Sequence, residues 1–129
     1  IMQGTQPAEN LSPTKGYLEK ALDYIHNNYS YNIHISDIAA YIGVDRSYLY
    51  RLFMEMEHIS PKQYLMRFRL RTASGMLRSP QYTITEIACS CGFRDTATFC
   101  SQFKKSTKLT PSQFRKKTRE ENGTNVAFL

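Results

Sequence analysis

The segment from Ile84 to Arg115, ITEIACSCGFRDTATFCSQFKKSTKLTPSQFR, decides how the chain is read. Ile84, Ile87 and Ala88 lie three to four residues apart and so share one face of a helix. Gly92 follows, where a tight turn between helices needs a residue that tolerates positive φ. Asp95 is placed to cap a second helix, and Phe99 and Phe103, four apart, pin that helix to the first. Thr110-Pro111 then stops the chain and restarts it as another helix, since a proline at the first helical position loses no hydrogen bond.

The same text occurs upstream, from Ile35 to Tyr64, as ISDIAAYIGVDRSYLYRLFMEMEHISPKQY. Ile35 matches Ile84, Ile38 matches Ile87, Ala39 matches Ala88 and Gly43 matches Gly92. After one extra residue in the second copy, Phe53 matches Phe103, Ser60 matches Thr110, Pro61 matches Pro111, Gln63 matches Gln113 and Tyr64 matches Phe114. Agreement falls on core contacts, turn and cap, the positions a shared fold constrains.

The remaining elements follow from periodicity. Residues 1–14 hold Gly4, Pro7 and Pro13 without an apolar pattern and read as a linker or remnant of a longer chain. Leu18, Ala21, Leu22 and Ile25 make one stripe of an amphipathic helix from Lys15 to about Asn28. Asp45 caps a helix running to about Met56, with Leu49, Leu52 and Phe53 inside. A long helix runs from Ser60 to about Leu77, roughly 27 Å at ~1.5 Å per residue, with Gly75 weakening its end. Thr83 and Glu86 have capping-box spacing. The last helix reaches about Lys117, and residues 118–129 read as a flexible tail. The expected fold is all-α: about seven helices in two helix-turn-helix units, about 15–59 and 83–117, joined by the 60–77 helix.

Charge separates the two halves. Residues 1–59 carry four Lys/Arg against seven Asp/Glu, whereas residues 60–119 carry thirteen against two. A one-sided basic surface suits a polyanionic partner. No run of about 18 apolar residues occurs, so no membrane-spanning helix is expected. Three cysteines are too few for a disulfide framework and fit a reducing, cytoplasmic setting.

The tandem units and the motif Ile84, Ile87, Ala88, Gly92, Phe93, Phe103, Lys104, Lys105, Thr110, Pro111, Phe114 and Arg115 resemble the DNA-binding domain of AraC/XylS-type transcription factors over about Lys15 to Lys117. The resemblance implies that the second helix of each unit lies in a major groove of double-stranded DNA, the two reading successive grooves of one asymmetric site. It also implies a bacterial transcription regulator, more often an activator, acting in the cytoplasm at the nucleoid. RNA polymerase would be a second partner, and a small-molecule effector would bind a separate domain. Two positions depart from the family pattern: His58 and Lys108 stand where glycine is usual, before the Ser/Thr-Pro restarts. Left-handed there, each would cost roughly 1 kcal/mol.

On this reading the base-reading candidates in the first unit are Arg46, Ser47, Tyr50 and Arg51. Either arginine can grip a guanine edge at two points, and Tyr50 offers a hydroxyl and a ring to thymine. The second-unit candidates are Arg94, Thr96, Ala97, Cys100 and Ser101. Apart from Arg94 these are short, which concentrates direct readout in the first unit. Lys62, Lys104, Lys105 and Arg115 are the phosphate candidates, near helix ends.

Other chemistries find little support. Cys89 and Cys91 lie two apart within a helical pattern and face different sides, and His26, His34 and His58 are scattered, so core packing is favoured over a metal. No phosphate loop, Ser/His/Asp set or carboxylate cluster points to an enzyme, and no cofactor is expected. The competing reading is a helical protein-interaction module that turns its basic half, with Tyr48 and Tyr50, toward an acidic partner.

Overall fold

A computed structural model of the chain describes residues 13–121. These residues form helices only, in the order α1 (Pro13–Asn28), α2 (Ile35–Ile42), α3 (Arg46–Met56), α4 (Pro61–Met76), α5 (Ile84–Ser90), α6 (Thr96–Thr107) and α7 (Pro111–Glu120). None of them is long and apolar enough to cross a membrane. The all-α expectation and the helix order hold. The expected linker and tail fall largely outside the described residues, at 1–12 and 122–129. Where they overlap the structure, they are corrected. Pro13 and Thr14 already belong to α1, and α7 continues three residues past Lys117 to Glu120. Thr118 is buried and its hydroxyl bonds to the Arg115 carbonyl at 3.0 Å, so this part of the tail is ordered.

The chain divides into two compact units, and the boundary falls inside α4, between Leu65 and Met66. The first unit buries Leu18, Ala21 and Ile25 of α1, Ile38, Ala39 and Ile42 of α2, Leu49, Leu52 and Phe53 of α3, and Leu65 of α4. The second unit includes the loop 29–32 and buries Leu70, Ala73, Leu77, Ile87, Ala88, Cys91, Phe93, Phe99, Phe103 and Phe114 together. Its aromatic spine runs from Phe93 to Phe99, Phe103 and Phe114, with ring centroids 4.9, 5.7 and 5.2 Å apart in turn. Helix α4, expected as a 60–77 connector, is therefore no bare spacer: its first turns belong to one core and the rest to the other. At 16 residues it spans roughly 24 Å at ~1.5 Å per residue.

The repeat reaches further back than the motif shows. Leu70, Ala73 and Leu77 reproduce the spacing and burial of Leu18, Ala21 and Ile25. Each alanine removes the bulk that would hold a crossing helix away.

The turns share one backbone path. Gly43 and Gly92 have φ of 83° and 88°, and the next residue donates its N–H to the alanine carbonyl five residues back: Val44 to Ala39 and Phe93 to Ala88, both at 3.0 Å. This satisfies carbonyls left over at a helix end. The caps match too. Asp45 and Asp95 accept from the N–H groups of Tyr48 and Thr98 at 2.7 and 2.6 Å. Ser60 with Gln63, Thr83 with Glu86 and Thr110 with Gln113 close reciprocal capping boxes.

His58 and Lys108 are left-handed, with φ of 65° and 69°. His58 donates its N–H to Phe53 at 2.9 Å and Lys108 to Lys104 at 2.7 Å, so each turn keeps the geometry glycine would adopt, under strain. Replacing either with glycine is expected to raise stability by a net of about 0.5 kcal/mol in urea melts, because the strain released exceeds the chain entropy glycine adds. A loss of stability in either variant would contradict this account of the turns.

Candidate nucleic-acid interface

Helix α3 keeps its apolar residues on one side. With Leu49, Leu52 and Phe53 buried, Arg46, Ser47, Tyr50 and Arg51 face outward. Together with Ile35 at the start of α2 and Ser60, Pro61 and Lys62 at the start of α4, they line an open depression of about 630 Å³. The structure thus brings all four first-unit base-reading candidates together with the phosphate candidate Lys62. Lys62 stands in the first turn of α4, whose helix dipole adds positive potential.

The sequence reading missed what holds Arg51. Its guanidinium carbon lies 5.6 Å from the centre of the Tyr48 ring, and that ring packs edge-on against Tyr17 of α1 at 5.8 Å. A cation over an aromatic face is attracted to it, which narrows the conformations a long side chain must lose on binding. The Tyr48-to-Arg51 spacing of three was a usable signal; Tyr17 gave none, being an α1 residue brought up by folding.

Helix α6 carries the second set. Aligning it with α3 on the caps Asp45 and Asp95 pairs Arg46 with Thr96, Ser47 with Ala97, Tyr50 with Cys100 and Arg51 with Ser101. Arg94 is then the extra residue: it precedes the cap, outside α6, and its Nε lies 3.3 Å from Asp95 in an ion pair. Thr96 is half-buried with its hydroxyl 3.3 Å from that of Thr85, and Cys100 packs partly against the core. Ala97 and Ser101 are exposed and short.

The phosphate candidates need two corrections. Lys104 and Lys105 are exposed but sit in the last turn of α6, among carbonyls and not N–H groups, so the helix-end argument fails for them and only their charge remains. Arg115 is not a free surface cation. Its Nε donates to the Leu77 carbonyl at 2.9 Å and its Nη2 to those of Ser79 and Tyr82 at 3.1 and 2.7 Å, tying down the loop after α4. Arg69 does the same for the loop after α1, donating to Tyr29 and Tyr31 at 2.9 Å each.

Cys91, the fully buried cysteine, has its thiol pushed up to about 11 by burial, partly offset by the Arg69 guanidinium. It stays protonated, with its sulfur 3.8 Å from that of Met76. Cys89 is exposed. Among the described residues no group of three or more His, Cys, Asp or Glu is arranged to hold a metal.

The hydrogen bond from the Thr98 backbone N–H, followed by that of the Thr98 side chain and the nearby Arg94, holds the Asp95 carboxyl below the usual range. A carboxylate lowered on folding stabilises the fold above its unfolded pKa, about 3.9, and loses that contribution as pH falls through the lower folded value. Thermal melts are expected to drop more steeply below about pH 4 in the native chain than in Asp95→Asn, which has no carboxyl to titrate. Parallel profiles would contradict the role given to this cap.

Two capped helix-turn-helix units, one presenting arginines and a tyrosine beside a basic helix start, define a DNA-binding domain. A Helix-turn-helix domain family matches residues 38–117. The chain is 35% identical over 108 residues to the Msm operon regulatory protein of Streptococcus mutans, covering 84% of this chain and 39% of that protein. It is 33% identical over 98 residues to the Lactose operon transcription activator of Staphylococcus xylosus, covering 76% and 35%. A solved AraC-type DNA-binding domain regulator from Chromobacterium violaceum superposes with a TM-score of 0.74 at 29% identity, covering 81% of this chain and 93% of that one. The chain belongs to the AraC/XylS-type helix-turn-helix family of sequence-specific bacterial transcription regulators. It spans about 39% and 35% of the length of these two curated relatives.

Proposed function

We propose that α3 chooses the DNA sequence and that α6 fits a neighbouring groove mainly through shape, methyl packing and phosphate contacts. The gathering of Arg46, Ser47, Tyr50, Arg51 and Lys62 around one depression carries this reading. Arg46 and Arg51 hydrogen-bond guanine edges, Tyr50 packs on a thymine methyl, and Lys62 neutralises a flanking phosphate. Thr96, Ala97 and Ser101 lack the length for two-point contacts, while Arg94, Lys104 and Lys105 supply charge. The units read one asymmetric site across successive major grooves. The activator relative named above supports activation, through RNA polymerase, with the effector bound outside this chain; the setting is the bacterial cytoplasm, at the nucleoid.

A hydroxyl-radical footprint tests the groove assignment. Two protected segments about one helical turn apart are expected. Protection confined to one groove would overturn it. Binding that is indifferent to sequence and to salt would instead favour the protein-interaction module.

A further inference from the structure

The second unit holds a cleft that the DNA-reading helices do not use. Leu77, Arg78 and Pro80, just past α4, face Arg115, Thr118 and Arg119 of α7 across about 330 Å³. Among the described residues three guanidinium groups line it and no carboxylate does. Arg115 is immobilised through Nε and Nη2 by three carbonyls, and among the described residues no acceptor meets its Nη1. The side chains of Arg78 and Arg119 are exposed and make neither an ion pair nor a hydrogen bond among the described residues. The C-terminal ends of α4 and α7 each subtract roughly half a charge from the local field. Three full positive charges outweigh them. The floor is apolar: Leu77 is fully buried, and Thr118, buried beside it, turns its hydroxyl to the Arg115 carbonyl.

We propose that this cleft binds a phosphate group. A guanidinium presents paired N–H donors that match phosphate oxygens, and one already fixed by its own backbone contacts loses little freedom on binding. At about 330 Å³ the cleft is at the small end of ligand sites and suits a phosphate with its first attached atoms. The phosphate comes either from the DNA backbone or from a free phosphorylated compound. The site goes beyond the role given to α3 and does not depend on it.

Amide NMR of the whole chain titrated with inorganic phosphate, against chloride at matched ionic strength, is the direct test. Phosphate-specific shifts are expected at Leu77, Arg78, Thr118 and Arg119 and at the Arg115 Nε–H, and they should vanish in Arg78→Gln/Arg119→Gln. Neither of those side chains supports the fold, so this variant remains folded. A second arm measures the salt dependence of binding to a mixed-sequence duplex. A log–log slope shallower by about 0.9 for each DNA phosphate that the variant no longer neutralises assigns the phosphate to DNA. An unchanged slope, with the phosphate shifts present in the native chain, assigns it to a free phosphorylated ligand. No phosphate-specific shifts, or shifts that persist in the double variant, would overturn the site whatever the slope. Failure of α3 to choose the sequence would leave both arms untouched.

Discussion

Gly92→Ala is expected to cost about 3 kcal/mol or more, whereas Gly43→Ala, its counterpart in the repeat, should cost only about 1 to 2. Both glycines have nearly the same positive φ, so the backbone penalty is shared. Their surroundings differ. A Cβ at Gly43 would meet nothing within 4 Å, while one at Gly92 would collide with the Tyr29 carbonyl oxygen and lie 2.9 Å from Arg69 Nε. That carbonyl is the one Arg69 holds, and Arg69 is half-buried. Relief would therefore mean breaking that contact and leaving the half-buried Arg69 Nε without its acceptor. Urea denaturation of the two variants side by side measures the difference. Equal losses would mean that the Tyr29 loop yields freely and does not lock the second unit.

Arg51→Ala is expected to lower discrimination at one base pair by about 1–3 kcal/mol, the loss of a two-point contact. The structure adds a companion. Tyr48→Ala, which removes the ring beneath the guanidinium, should reduce discrimination at that same base pair by a smaller amount, and Tyr48→Phe should retain it. A double-mutant cycle between Tyr48 and Arg51 should be non-additive. Competition binding against single-base variants of a selected site reads these effects. Equal weakening on specific and random DNA would move Arg51 to the phosphates, and full additivity would leave Tyr48 with a purely structural role.

Much of the fold was legible because its determinants are local. Ile35, Ile38, Ala39 and Gly43 lie within nine residues of one another, and every cap bonds three residues ahead, so spacing alone locates helix starts, turns and buried faces. The repeat made each reading checkable against its copy. What could not be read depends on contacts distant in sequence. Arg115 looked like a surface cation because its acceptors are carbonyls 33 to 38 residues away, which no side-chain pattern announces. Arg94 is the inserted residue ahead of α6, a placement that shows only where the two aspartate caps are matched. Lys104 and Lys105 were near a helix end as expected, but at the end with the wrong polarity for N–H assistance. The dual use of α4 was hidden for another reason: Leu65, Leu70, Ala73 and Leu77 wind from one buried face to another, which blurs any single stripe.

The central claim is that the first unit selects the sequence while the second, more family-like in its motif, mainly accommodates it. Unbiased selection from random duplex DNA tests this most directly when run on three chains: the native one, Arg46→Ala/Arg51→Ala in α3 and Thr96→Ala/Ser101→Ala in α6. The α3 variant is expected to lose the strongest base preferences in one half of the recovered site, and the α6 variant to return nearly the native consensus. A consensus that survives the α3 changes and collapses with the α6 changes would contradict the account.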